Sequence, residues 1–199
     1  MRSFMRQFSI LISLTVLSLA GLRAEAQDAP RAEIFGGYQF FHANSGVSFS
    51  GFDSFNLNGW DASLSGYFNR YLGITSDFSG VYGTPSISIQ GFGSAGINTH
   101  LYTYMFGPTL RIANASPIQP FARVLIGGAH LEGTVNIPVV GVSTSSSDDG
   151  FAWDFGGGLD YKVLPFLALR PMQIDFVQTH IGGNNQNHFR YAVGAVLRF

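Results

Sequence analysis

Residues 59–82, GWDASLSGYFNRYLGITSDFSGVY, alternate in character from one position to the next. Trp60, Ala62, Leu64, Gly66 and Phe68 share one parity, and Gly59, Asp61, Ser63, Ser65 and Tyr67 share the other. After the short turn Asn69-Arg70-Tyr71, Leu72, Ile74, Ser76, Phe78, Gly80 and Tyr82 alternate with Gly73, Thr75, Asp77, Ser79 and Val81. A period of two over two stretches of about eleven residues predicts a β-hairpin with unlike faces. The face of large residues is uncharged, while the small, polar face carries carboxylates. In a soluble sandwich the large face would be the core. In a membrane-spanning barrel it would meet lipid, and the polar face would line the lumen.

The same period recurs along the chain. Strands are predicted over residues 31–42, 59–68, 72–82, 99–111, 119–131, 151–162, 167–181 and 188–199. In the stretch 151–162, Phe151, Trp153, Phe155, Gly157, Leu159 and Tyr161 oppose Ala152, Asp154, Gly156, Gly158, Asp160 and Lys162. In 167–181, Arg170 and Asp175 belong on the polar side yet lie an odd number of residues apart, with Pro171 between them. Proline cannot donate to a ladder, so a β-bulge is predicted there; one extra residue restores both faces. The connections alternate between long and short, placing all the long ones on one side and both chain ends on the other. Even strand number, alternating connections and strands long enough to cross the hydrocarbon layer at a tilt predict an all-β fold. It is an eight-stranded antiparallel up-and-down transmembrane β-barrel. Ring closure would leave no unpaired edge in lipid.

Charge tests the two faces. Glu33, Asp61, Asp77, Asp154, Asp160 and Asp175 fall on the polar parity, as do Arg111, Arg123, Lys162, Arg170, Arg190 and Arg198. On the lipid parity a mid-membrane Arg or Lys would cost about 2–4 kcal/mol. Acids facing bases predict a lumen charge network of Asp61, Asp77, Arg123, Asp154, Asp160, Lys162, Arg170 and Asp175. For Glu33, Arg111, Arg190 and Arg198 the pattern leaves lumen and wet strand ends equally open. Eight strands enclose only enough room for side chains, so a plugged barrel is expected. Trp60, Tyr82, Tyr102 and Trp153 near the long connections, with Phe68, Tyr71, Tyr161, Phe166 and Phe199 near the short ones, suit two interfacial aromatic girdles.

Residues 1–26 read as a signal peptide: Arg2 and Arg6 precede an apolar run, and Ala24-Glu25-Ala26 fits the small-x-small rule for cleavage before Gln27. The domain would then be residues 27–199, with 8 basic and 11 acidic residues and a formal charge of −3. That balance argues against nucleic acid as a partner. The chain has no cysteine, so neither lipidation at the cleavage site nor a disulfide framework is available. Lys162 is the only lysine, and charged residues make up 12% of the chain against roughly 25% in soluble domains.

Gly36-Gly37-Tyr38, GWDASLSGYFNRYLGITSDFSG, GGGLDYKVLPFLALRP and RYAVGAVLRF resemble the OmpA-type outer-membrane β-barrel family of Gram-negative bacteria across the whole mature chain. The resemblance implies an integral outer-membrane location, with outer-membrane lipids and the barrel-assembly machinery as partners. It also implies that Val193, Ala195, Leu197 and Phe199 form the assembly signal. The chain stops at Phe199 without the family's peptidoglycan-binding domain, so cell-wall tethering does not carry over.

Candidate chemistry is sparse. The five histidines (His42, His100, His130, His180, His188) map to loop-side strand ends without paired ligand spacing, and Asp148, Asp149 and Glu132 lack calcium-loop spacing. A lipid hydrolase would need a Ser–His set on the lipid face, but Ser76 lies out of reach of His100 and His130. No catalytic, metal or cofactor site is expected. The sequence points to a non-enzymatic envelope protein with a structural or surface-contact role through its loops, whose partner there is unspecified. A small-solute porin and a soluble lipocalin-like barrel are the alternatives.

Overall fold

The computed structural model describes residues 31–84, 86–89, 93–112, 116–137 and 142–199, apart from 45–53. The signal-peptide reading and its junction at residue 27 lie outside the described residues. Nine strands occur among those described: β1 (Ala32–Asn44), β2 (Ser54–Tyr67), β3 (Leu72–Gly83), β4 (Ser86–Ile89), β5 (Gly93–Arg111), β6 (Ile118–Ile137), β7 (Val142–Leu164), β8 (Leu167–Ile181) and β9 (Asn184–Arg198). Every pairing is antiparallel, in the order β3-β2-β1-β9-β8-β7-β6-β5, and β3 pairs with β5 to close an eight-stranded ring. β4 is an accessory strand paired to β5 above that ring.

The ring is inside out relative to a soluble protein, as the alternation requires. Phe106, Phe155 and Ile126 are 59%, 59% and 48% exposed, whereas Asp77, Asp154 and Asp175 are fully buried. Large apolar side chains therefore face the acyl chains and polar ones fill the interior. Trp60, Tyr82 and Tyr102 form one belt, with the Trp60 Nε1 donating to Tyr82 Oη at 3.1 Å and the two tyrosine rings meeting edge to face. Phe68, Tyr71, Tyr161, Phe166 and Phe199 are exposed at the opposite end, by the short turns.

The bulge lies where Pro171 demands it. Arg170 pairs with Gly194 and Gln173 with Ala192, so three steps of β8 match two of β9. Pro171 and Met172 both face lipid, and Arg170 and Gln173 both face the lumen. Tyr191 Oη donates to Pro171 O at 2.9 Å, satisfying a carbonyl that the bulge takes out of the ladder.

Two expectations are corrected. First, β5, β6 and β7 run well past the predicted strand ends at residues 99, 131 and 151. The longest predicted connection, residues 132–150, is largely ladder, with β6 and β7 paired from Ile118↔Tyr161 to Ile137↔Val142. Second, Lys162 is exposed and does not join the lumen network. It lies at the end of β7, where the pairing with β8 slips between Lys162 and Leu164, and its long stem reaches water at the rim.

Candidate functional site

The interior has two layers, set by strand periodicity. Positions two apart share a face and sit about 6.8 Å apart along a strand. Arg123 is followed on its inward face by Leu125, Asp175 by Val177, and Asp154 is preceded by Ala152. A charged band is therefore capped on the long-loop side by an apolar layer of Phe41, Leu57, Val81, Leu101, Met105 and Ile181. Sequence reasoning missed this cap, although inward Leu125 and Val81 were its visible signal.

In the charged band, Arg123 places Nε and Nη2 on the two oxygens of Asp175 at 3.2 and 3.0 Å, a bidentate fork, and Nη1 on Asp77 Oδ2 at 2.8 Å. Arg190 donates from Nε to Asp175 Oδ2 at 2.8 Å, from Nη1 to Asp77 Oδ1 at 3.1 Å, and from Nη2 to Asp154. Gln173 Nε2 bridges Asp175 Oδ2 at 2.8 Å and Asp61 Oδ2 at 3.0 Å, and its Oε1 accepts from Arg170 at 2.8 Å. Arg170 grips Asp160 through Nε at 2.7 Å and Nη2 at 3.2 Å, while Phe35 and Phe121 place their rings 4.4 and 4.0 Å from its guanidinium. Arg198 reaches Asp160 at 3.1 Å and Gln119 at 2.7 Å. Arg111 bonds Glu33, which also accepts from Tyr67 Oη at 2.9 Å.

The network draws side chains from all eight barrel strands and crosses the lumen, joining β3 to β9 and β2 to β8. Seven of the eight residues read from the pattern (Asp61, Asp77, Arg123, Asp154, Asp160, Arg170, Asp175) sit in this band; Lys162 does not. Glu33, Arg111, Arg190 and Arg198, for which the pattern left the place open, are buried at 4% exposure or less. Gly156 is required here for close approach, because Asp175 occupies the space its Cβ would fill.

At the opposite end, above the Trp60–Tyr82 belt, His130 lies between two carboxylates: Nδ1 is 2.6 Å from Asp149 and Nε2 is 3.2 Å from Glu132. His100 is 3.8 Å from Glu132 and edge-on to Tyr82. The hydrogen bond to Asp149 raises the His130 pKa above its ordinary value; burial opposes the shift and Glu132 adds to it. His188 is not a rim residue as its position in the chain suggested. It is buried, with Nε2 2.9 Å from Thr179 Oγ1 and its ring 5.0 Å from that of Phe41. Among the described residues, no three His, Asp or Glu side chains converge on a metal-sized site.

Ail of Yersinia pestis has the same fold, at 17% identity and TM-score 0.61, covering 86% of this chain and 99% of its own. Neisserial surface protein A matches at 15% identity and TM-score 0.57, covering 88% and 100%. OprG of Pseudomonas aeruginosa matches at 14% identity and TM-score 0.54, covering 86% and 96%. No curated relative matches. The outer membrane protein beta-barrel domain family matches residues 9–199. The chain belongs to the outer membrane protein beta-barrel domain family.

Proposed function

We propose that this protein is a non-conducting, non-enzymatic structural barrel of the outer membrane that makes contacts at the cell surface through its extracellular sheet. The supporting observation is the filled interior: an arginine–carboxylate band joined to all eight strands, sealed above by an apolar layer. Opening a path for ions would strip partners from buried charges, and a buried ion left unpaired is expensive. Reconstituted in planar bilayers, the protein should show no steady current. Sustained ohmic conductance would overturn this reading and favour the porin.

Ail has been crystallised with the heparin analogue sucrose octasulfate. The segments of this chain beyond the outer aromatic belt do not suit such a polyanion. Residues 43–58, 83–100, 129–150 and 181–188 contain Asp53, Glu132, Asp148 and Asp149 but no lysine or arginine. Among the described residues the bases sit elsewhere, in the lumen or at the short-turn end (Arg31, Arg70, Lys162). The surface partner on this reading is not an anionic polysaccharide.

A further inference from the structure

The surface charges of the barrel are sorted by end. Among the described residues, the exposed acids are Glu132, Asp148 and Asp149, all beyond the outer aromatic belt. The bases that reach the surface, Arg31, Arg70 and Lys162, lie at the short-turn end, where no Asp or Glu side chain among the described residues is exposed. Arg31 is half-buried beside the chain end, whereas Arg70 and Lys162 are exposed.

These bases stand among apolar residues. β7 and β8 are joined through Lys162-Val163-Leu164-Pro165-Phe166, a turn with no Gly, Asn, Asp or Ser. Val163 and Leu164 are 48% and 43% exposed, so the apolar side chains on both sides of the strand end have left the barrel wall. In the β2–β3 turn, Asn69 Oδ1 accepts from the Tyr71 and Leu72 N–H groups, both at 2.8 Å. That closes the turn with Arg70 at its tip, its guanidinium 5.4 Å from the Tyr71 ring. Phe68 beside it, Ile118 at the β5–β6 turn and Phe199 at the β1–β9 seam are exposed as well. Apolar side chains therefore mark every short-turn connection around the ring. A protein partner would cover one sector of such a rim; a shell of lipid covers all of it.

Turn tips this apolar are costly in water, and a purely apolar surrounding would reject the bases. The boundary between acyl chains and lipid phosphates accepts both. There a lysine stem lies along the apolar phase while its ammonium reaches the headgroup. We propose that the short-turn end of the barrel is a binding surface for phospholipids with a net negative headgroup. Arg70 and Lys162 meet the headgroup phosphates, and Val163, Leu164 and Phe166 lie among the acyl chains. This surface is at the opposite end of the molecule from the extracellular sheet and does not depend on what that sheet contacts.

The test uses the full barrel, refolded in nanodiscs of phosphatidylcholine mixed with phosphatidylglycerol, with a fluorophore on a single introduced cysteine, the native chain having none. Ile118→Cys reports on the short-turn end, since Lys162 N donates to the neighbouring Pro117 O at 2.8 Å. Phe151→Cys, also exposed, reports on the long-loop end. Each label is quenched in turn by phosphatidylglycerol and by phosphatidylcholine brominated on the acyl chains, at the same mole fraction. At position 118 phosphatidylglycerol should quench as though enriched at least about 2-fold, and the enrichment should vanish in about 1 M salt. Arg70→Gln with Lys162→Gln should abolish the enrichment while leaving heat-dependent gel mobility intact. Arg70→Lys with Lys162→Arg, which keeps both charges, should retain it. At position 151 no enrichment should appear. Equal quenching by the two lipids at position 118, enrichment that survives the loss of both charges, or enrichment as large at position 151 would each overturn the proposal. If the lipids quench equally while a labelled glutamate-rich peptide binds the barrel in pure phosphatidylcholine discs, the rim belongs to an acidic protein segment and the lipid surface falls.

Discussion

At the scale of single residues, the lumen charges differ sharply in how much depends on each. Asp175 accepts from Arg123, Arg190 and Gln173, so Asp175→Asn leaves two buried guanidiniums short of a partner. A loss of about 3–5 kcal/mol is expected in urea titrations of the refolded barrel. Among the described residues, Asp61 accepts from Gln173 alone and its other oxygen has no partner, so Asp61→Asn should change stability by less than about 1 kcal/mol in the same titration. Gly156→Ala pushes a methyl group into the Asp175 carboxylate and should cost about 1–3 kcal/mol. Parity alone placed Asp61, Asp77, Arg123 and Asp154 on the lumen face, and parity with the Pro171 bulge placed Asp175 there, because a strand offers only two faces and lipid refuses charge on one. Parity could not rank them. How many donors reach each carboxylate depends on the barrel's stagger, which joins Gln173 to Asp61 and Arg190 to Asp77 across more than a hundred residues of chain. Lys162 shows the limit from the other direction: its parity is inward and it pairs with buried Ala168, but two residues from the end of β7 its side chain is exposed.

At the scale of elements, the β8 bulge was legible because Arg170 and Asp175 disagree in parity across a proline. It makes a deletion test possible. Removing Met172 takes out the extra residue and leaves a regular strand with Arg170, Gln173 and Asp175 still facing inward, so the barrel should form and keep its heat-dependent gel mobility. Removing Ile174 either keeps the bulge and turns Asp175 towards lipid, or loses it and turns Gln173 towards lipid and Met172 into the charged band; either way the network is broken, and the compact band should melt at a lower temperature than that of the Met172 deletion. The extracellular hairpin was not legible. Ser-, Gly- and Asp-rich residues 143–150 read as loop, and only their registered pairing with β6 makes them strand. The foot of that hairpin is held by His130 between Asp149 and Glu132. Its folded pKa is raised, so its contribution is complete below the unfolded imidazole value of about 6.5 and is lost as pH rises through the raised folded value. Amide exchange at the hairpin foot, corrected for intrinsic rate, should therefore accelerate as pH rises above this range. His130→Gln should remove that pH dependence. The pair is partly exposed, so the effect should stay under about 1 kcal/mol.

At the scale of the whole molecule, the ring is joined where its two ends meet. β1 and β9 pair from Glu33↔Arg198 to Ala43↔His188, and the last residue completes the seam: Phe199 N donates to Ala32 O at 2.9 Å and Arg31 N donates to Phe199 O at 2.7 Å. The Phe199 side chain takes no part in this; its ring is 68% exposed at the short-turn end, and the bonds are made by its backbone. Stability and assembly should therefore separate at this one position. Phe199→Ala keeps the three backbone bonds made by this residue, so the refolded barrel should melt within about 1 kcal/mol of the native protein and show the same gel shift on heating. If Val193, Ala195, Leu197 and Phe199 are read by the assembly machinery, the same substitution should lower the fraction that reaches the outer membrane in cells and raise the fraction degraded before insertion. Deleting Phe199 removes the backbone bonds as well, and it should lower both the in-vitro melting point and the yield in cells. A Phe199→Ala protein that inserts in cells as well as the native chain would assign the terminal aromatic to the interfacial belt alone, with no part in assembly.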